Sequence, residues 1–95
     1  MIYNRQVSVP ASSVIEVFDE IGIAPDRCDV AIQVLGGTAV YLVEDDAGTV
    51  PGLKISWATS PSEPYRLISD KDPVYIKNYD SGSAATVCLS LTATP

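Results

Sequence analysis

The chain contains no histidine, and this absence removes much of the usual chemistry of active sites. Catalytic arrangements of the Ser-His-Asp and Cys-His type all need an imidazole as their base. The common zinc and copper sites also rely on imidazole nitrogen, and the two cysteines alone cannot complete a tetrahedral thiolate site. We therefore predict that the protein is not an enzyme, and that it has no catalytic residues, no metal site and no cofactor.

Basic residues are also scarce. Six Lys and Arg stand against twelve Asp and Glu, which gives a net charge of −6 at pH 7. The six are scattered singly along the chain, whereas phosphate backbones are held by clustered Lys and Arg. We expect neither nucleic acid nor an anionic membrane as a partner.

Long apolar runs are missing as well. The longest one of interest, AVYLV at 39–43, is about a quarter of the ~20 residues that a membrane-spanning helix requires. The first ten residues, MIYNRQVSVP, have neither the basic segment nor the apolar segment of a signal peptide. These patterns predict synthesis in the cytosol and no membrane span.

The residues that are present indicate an all-β protein. Hydrophobic residues make up 46% of the chain, and seven prolines and six glycines fall mostly between short runs rich in Val, Ile, Tyr and Thr. Such runs, separated by turn residues at regular intervals, are typical of strands. We predict a single domain over residues 1–95, with residues 1–10 as a candidate extended arm. The predicted strands lie near 5–9, 28–35, 39–44, 53–58, 65–69, 73–78 and 84–92.

Alternation along the strands predicts which side of each is buried, because successive side chains point to opposite faces of a sheet. CDVAIQV and AATVCLSLT each have one apolar face, and LKISWA places Leu53, Ile55 and Trp57 together. Two sheets whose apolar faces meet would bury such strands. A small antiparallel β-sandwich of about seven to eight strands, with jelly-roll connections as one arrangement, is therefore favoured. A small closed barrel is the alternative.

Two segments leave alternatives open. In SSVIEVFDEIG, Ser13 and Glu16 fit a helix capping box, but the β-branched residues and short length favour a strand at 13–18. AVYLV is apolar on both faces, which predicts either a central strand covered on both sides or a strand that meets another subunit.

The two cysteines and two acidic clusters are candidates for a disulfide bridge and for a calcium site. Cys28 shares the apolar face of its strand, whereas Cys88 shares a face with Thr and Ser, so we predict free thiols and no inter-sheet bridge. Acidic residues cluster at 44–46 and 70–72, but neither cluster matches the spacing of a known calcium loop. Solvated turn charge is the preferred interpretation.

The tyrosines could form a sugar-stacking platform or an interface patch, since their rings offer large contact area with a polar group at one end. Tyr41, Tyr65, Tyr75 and Tyr79 are the candidates, and Tyr75 shares its face with Lys77 and is placed outside. Trp57 is in phase with Ile55, which favours the core.

Two long stretches, DRCDVAIQVLGGTAVYLVEDDAGTVPGL and DKDPVYIKNYDSGSAATVCLSL, give the sequence a resemblance to a family. It resembles the small β-sandwich virion proteins of tailed bacteriophages: capsid decoration or cement proteins and related head-fibre and head–tail accessory modules. The likeness begins at Arg27 and covers about two thirds of the chain. It lies in the strand from Cys28 to Leu35, Gly36 to Thr38, Val40 to Leu42, Gly48 to Gly52, Val74 to Ile76, and Ser81 to Leu91.

This resemblance implies a structural virion protein that binds the assembled capsid shell through β-sandwich surfaces and an N-terminal arm, residues 1–10. The major capsid protein or other virion proteins are the implied partners. The resemblance also implies a homo-oligomer, with a trimer favoured. A carbohydrate- or receptor-binding β-sandwich module, using exposed tyrosines and the acidic loops 44–48 and 70–72, is the alternative. The predicted interface residues are Ile2, Tyr3, Arg5, Tyr41, Tyr75 and Tyr79.

Overall fold

The computed structural model describes residues 2–24, 26–46, 51–55 and 65–93. These residues form eight strands and one short helix, so the predicted all-β class is confirmed. No helix within these ranges is long and apolar enough to cross a membrane. The elements are β1 Ile2–Val9, β2 Val14–Glu16, α1 Val17–Ile21, β3 Arg27–Gly36, β4 Val40–Val43, β5 Pro51–Ile55, β6 Tyr65–Asp70, β7 Tyr75–Lys77 and β8 Ala85–Ala93.

The strands make two four-stranded antiparallel sheets. The first sheet has the order β1-β8-β3-β6 and the second has the order β2-β7-β4-β5. Pairs are nested along the chain, since β1 pairs with β8, β2 with β7, β3 with β6, and β4 with β5. This is the strand order of a jelly roll, in which one long antiparallel ribbon is folded over into a sandwich.

The core lies between the inner faces of the two sheets. On β8 the four residues at alternate positions from Ala85 to Leu91 are all buried, and the residues between them are not. The same alternation on β3 buries Cys28, Val30 and Ile32, as their spacing predicts. The buried cluster comprises Val7, Val9, Ile15, Val17, Phe18, Cys28, Val30, Ile32, Val34, Val40, Ile55, Val74, Ile76, Ala85, Val87, Leu89 and Leu91.

The ambiguous segment contains both a strand and a helix. Its first part, β2, pairs with β7 and buries Ile15. The helix α1 then begins, capped by Glu16, whose carboxylate accepts hydrogen bonds from the backbone N–H groups of Phe18 and Asp19. Ser13 is not the cap, because its hydroxyl donates to the carbonyl of Ala11. The predicted strand over 13–18 is therefore right for three residues and wrong after Glu16.

Residues 2–10 do not project as an arm in the described structure. From Ile2 to Val9 they form β1, which pairs with β8 along its whole length. The strand begins three residues before the predicted one because the pairing register with β8 continues to Ile2↔Thr92. Residues 2–9 thus contribute a strand to the first sheet, at its edge over the described residues.

The predicted inner face of β5 is only partly correct. Ile55 is 2% exposed and pairs with the buried Val40, but Leu53 is 50% exposed. The register between β4 and β5 shifts between Tyr41 and Val43, so the alternation does not continue through the edge strand. Trp57, and the end of the strand predicted over 53–58, lie outside the described residues.

Candidate functional site

The structure divides the six predicted interface residues into two groups on different sheets. Ile2, Tyr3 and Arg5 lie on β1 in the first sheet. Tyr41 lies on β4 and Tyr75 on β7 of the second sheet, with Tyr79 two residues beyond the end of β7. The predicted residues therefore do not form one continuous surface, and each group is described separately below.

The tyrosines of the second sheet form a compact cluster with a lysine. The rings of Tyr41 and Tyr79 meet edge to face, with centroids 5.1 Å apart and an interplanar angle of 89°. The Nζ atom of Lys77 lies 4.7 Å from the centroid of the Tyr79 ring. Edge-to-face rings and cations over rings are both attractive arrangements of the aromatic quadrupole. We call Tyr41, Lys77 and Tyr79 the tyrosine cluster, and Tyr75 lies two residues before Lys77 on the same strand.

Sheet pleating explains why these side chains share the outer face. Ile76 is fully buried and Val74 is 6% exposed, so the residues between and after them, Tyr75 and Lys77, point away from the core. Tyr41 is the cross-strand partner of Lys77, which brings it to the same side. The sequence predicted that Tyr75 lies outside the core, and the structure places it on the outer face of the sheet. Its side chain is half-buried on that face.

The cluster is a locally basic part of an acidic protein. Tyr41 pairs with Lys77 on one neighbouring strand and with the exposed Lys54 on the other. Two of the six basic residues of the chain therefore flank one tyrosine. Glu16 lies opposite Tyr75 in the register, but its carboxylate is turned to the helix cap and also accepts from the backbone N–H of Val74 at 3.2 Å.

A cleft opens next to the tyrosine cluster, between β6 of the first sheet and β4 and β7 of the second. Its volume is about 290 Å³, and Tyr75 contributes to its wall. The floor is largely apolar, with Leu42 and Leu67 among its residues, and Ser69 donates its hydroxyl to the carbonyl of Asp72 at 2.7 Å. Tyr75 thus lines this cleft and lies on the strand that carries Lys77 of the tyrosine cluster.

The two acidic segments singled out in the sequence come together at the cleft. Glu44 lines it from the end of β4, and Asp70 and Asp72 line it from the end of β6 and the following turn. Over the described ranges, however, no three His, Cys, Asp or Glu side chains are close enough together to hold a metal ion. Three carboxylate side chains line this one cleft.

The β1 group lies at the edge of the first sheet. Ile2 is 64% exposed and Arg5 is also exposed, whereas Tyr3 is half-buried against the core. β1 carries Arg5 as its one charged residue in eight. Within the described part of the chain, β8 is the one strand that pairs with it. The edge therefore presents backbone groups to solvent with little charge beside them.

Both cysteines are free, as predicted, and they differ in environment. Cys28 is buried on the inner face of β3, while Cys88 is half-buried on the outer face of β8. Burial raises the pKa of the Cys28 thiol above its ordinary value, and the negative charges of Asp26 and Asp29 raise it further. A thiol held in its neutral form is a poor nucleophile.

Sequence reasoning missed the long-range hydrogen bonds of two polar residues that hold this region in place. Asn78 is fully buried, and its amide donates to the carbonyls of Val9 and Ser83 while its oxygen accepts from the N–H of Asp80. Glu16 joins the start of α1 to β7 through Val74. Asn78 falls at the end of the strand predicted over 73–78, and no local pattern in the sequence indicates its contact with Val9, 69 residues away.

Comparison of the chain with protein-family models, with curated proteins and with solved structures gives no significant match. The fold and the geometry of the two surfaces are therefore the basis of the functional argument.

Proposed function

We propose that this protein is a structural virion protein of a tailed phage, a decoration or cement module that binds the assembled capsid shell. The observation that carries the proposal is the tyrosine cluster on the outer face of a jelly-roll sandwich. The resemblance of the sequence from Arg27 onward supports it, and jelly rolls are common among viral capsid domains. That second point is an analogy between folds.

The tyrosine cluster has the composition of a protein contact surface. Tyrosine is enriched at interfaces because its ring supplies large area with little conformational entropy to lose. Tyr79 is 37% exposed, and its ring is already held by Tyr41 and Lys77, so ordering it against a partner costs little. The ammonium groups of the two lysines beside Tyr41 would donate hydrogen bonds to carboxylates or carbonyls of a capsid surface.

Repetition on a shell would turn weak contacts into stable attachment. Each copy meets an equivalent site on the capsid, and copies joined to one another bind with higher avidity than single copies. The partners in this proposal are the major capsid protein or other virion proteins, and the protein would be located in the virion. A homo-oligomer, with a trimer favoured, fits a symmetry axis of the shell.

The direct test is copurification with phage particles produced from the genome that encodes the chain. We expect the protein in purified particles at a copy number that matches a capsid symmetry. Replacing Tyr79 and Tyr41 by alanine is expected to lower occupancy at least about tenfold. Leu35→Ala is the matched control, because Leu35 is similarly exposed at 42% but lies on the other sheet. Absence from particles would refute the proposal.

A second candidate is supported by the position of Tyr75 in the wall of the acidic cleft. A carbohydrate- or receptor-binding module would stack a ligand on this ring and hydrogen-bond it through Glu44, Asp70 or Asp72. Glycan-array binding that is lost in Tyr75→Ala and in Asp72→Asn would favour this function. Sensitivity of that binding to a chelator would indicate that calcium takes part.

A further inference from the structure

One row of residues crosses the outer face of the first sheet from edge to edge. Ile2 on β1 pairs with Thr92 on β8, Thr92 pairs with Asp29 on β3, and Asp29 pairs with Ile68 on β6. Ile2 is 64% exposed and Ile68 is 71% exposed, and they are the two most exposed large hydrophobic residues in the described ranges. They occupy the two opposite ends of this row.

Both edges of that sheet are open over the described residues. β1 pairs with β8 alone, and β6 pairs with β3 alone. An open edge is a template for another strand, and natural proteins usually protect it with lysine, proline or a bulge. In β1 the one charge is Arg5, and Pro10 follows the strand rather than interrupting it.

Strand directions allow the two edges to meet between copies. Neighbouring strands in this sheet are antiparallel, so β1 and β3 run one way and β8 and β6 run the other. When two copies stand side by side in the same orientation, β6 of one copy is antiparallel to β1 of the next. Antiparallel strands can then pair directly through backbone hydrogen bonds.

The register that continues the row is also free of charge conflict. It places Ile68 opposite Ile2 on the outer face, and Arg66 opposite Asn4 two residues along. On the inner face it places Leu67, which packs on the core edge, opposite Tyr3, which does the same in the neighbouring copy. Tyr65 then stands opposite Arg5. No pair in this register brings two like charges together, and the pairing of Tyr65 with Arg5 allows a cation–π contact.

We propose that a second copy of this chain is the partner of these edges, and that β6 of one copy pairs with β1 of the next so that the first sheet runs on between copies. The contact is heterologous, because the surface on one copy differs from the surface it meets on the next. Repeating such a contact gives a closed ring when the rotation between neighbouring copies adds up to one full turn. This deepens the proposed function by naming the contact between copies, and it leaves the tyrosine cluster on the second sheet available for the capsid.

The first test measures self-association of the isolated full chain, without capsid. A negative result therefore counts against the contact between copies and leaves capsid binding as a separate question. Sedimentation velocity over a concentration series is expected to show a reversible oligomer. Ile2→Lys and Ile68→Asp should each weaken it at least about tenfold, since each removes half of an apolar pair. The double variant should recover part of the affinity through a Lys–Asp pair, and lose that recovery at high salt. Leu35→Lys, on the same face but inside the sheet, should have little effect.

A cross-linking test checks the register. In a Cys88→Ser background, Asn4→Cys and Arg66→Cys are prepared as separate chains, mixed and oxidised. Residues opposite one another in antiparallel strands are within disulfide reach, so the mixture should give a covalent dimer and neither chain alone should. A dimer from Asn4→Cys alone would indicate a two-fold β1 pair and overturn the proposal. A monomer at all concentrations, with circular dichroism that shows intact folding, would also overturn it.

Discussion

At the scale of single residues, two buried or half-buried polar side chains organise the turns of the sandwich. Glu16 ends β2, caps α1 and accepts from Val74, so one carboxylate fixes three backbone segments. Asn78 joins the end of β1 to the turn before β8 in the same manner. Hydrogen bonds of this kind stabilise the fold because a buried donor or acceptor that loses its partner costs free energy.

Asn78→Ala is expected to lower the free energy of unfolding by about 2–4 kcal/mol, because the carbonyls of Val9 and Ser83 and the N–H of Asp80 lose their partner. Urea denaturation followed by circular dichroism measures the change. Asn4→Ala is the control, since Asn4 is exposed on β1 and should cost no more than about 0.5 kcal/mol. Equal effects of the two variants would contradict this role for Asn78.

Cys28 gives a prediction for the dependence of stability on pH. Its pKa is raised in the folded protein by burial and by Asp26 and Asp29, so the unfolded chain loses the thiol proton at lower pH than the folded chain does. Stability is therefore unaffected by this group at neutral pH and falls as the pH rises above about 8.5. Unfolding measured between pH 7 and the alkaline range should show this fall in the parent and in Cys88→Ala. The fall should be reduced in Cys28→Ala.

At the scale of elements, the turn between β3 and β4 depends on one glycine. Gly37 has a φ of 86°, in the left-handed region, and a Cβ at this position would clash with the backbone carbonyl of Ala84. This close approach brings the end of β3 against the start of β8. Gly36 directly precedes it and does not have a positive φ. A Cβ added to Gly36 would meet no atom within 4 Å.

Gly37→Ala is expected to destabilise the protein by about 2–4 kcal/mol, through the strained φ and the clash together. Gly36→Ala is a matched control from the neighbouring residue, and its expected change is within about 0.5 kcal/mol. Thermal unfolding of both variants tests the difference. A Gly37→Ala variant as stable as the parent would mean that the turn can shift away from Ala84 at little cost.

The segment from Val14 to Ile21 shows how one short stretch can serve two elements. Its first residues pair with β7, and its last residues turn into a helix that buries Val17 and Phe18. Gly22 ends the helix with a φ of 94° and donates its N–H to Phe18. The strand pattern and the helix pattern of the sequence both correspond to elements of the structure. The strand ends at Glu16 and the helix begins at the next residue.

At the scale of the whole molecule, the nested pairing brings distant parts of the chain together. Ile2 lies beside Thr92, and each inner pair closes a shorter loop within the outer one. The two surfaces that this topology creates are distinct. The second sheet presents the tyrosine cluster. Over the described residues, the first sheet presents two open edges with Ile2 and Ile68 at their ends.

Such long-range pairing predicts slow folding. The entropy of closing long loops must be lost before the β1–β8 contacts form, so we expect refolding in milliseconds to seconds rather than in microseconds. Stopped-flow circular dichroism after dilution from urea measures the rate. Double-jump experiments separate any slower phase that arises from proline isomerisation in the unfolded chain. A dominant microsecond phase would contradict the expectation.

The sequence by itself determined the all-β class, the inner faces of β3 and β8, the free thiols and the outward face of Tyr75. These follow from a period of two residues and from turn residues, which are local properties of the chain. It did not determine the bulge that exposes Leu53, the switch from strand to helix at Glu16 or the burial of Asn78.

Only the tertiary structure decided the jelly-roll order, the meeting of Tyr41 with Tyr79, and the alignment of Ile2 with Ile68 in one row. Alternation specifies which side of a strand faces the core, but it carries no information about which strand is its neighbour or in what register they pair. Those choices depend on packing between residues far apart in the chain, and the candidate surfaces depend on those choices.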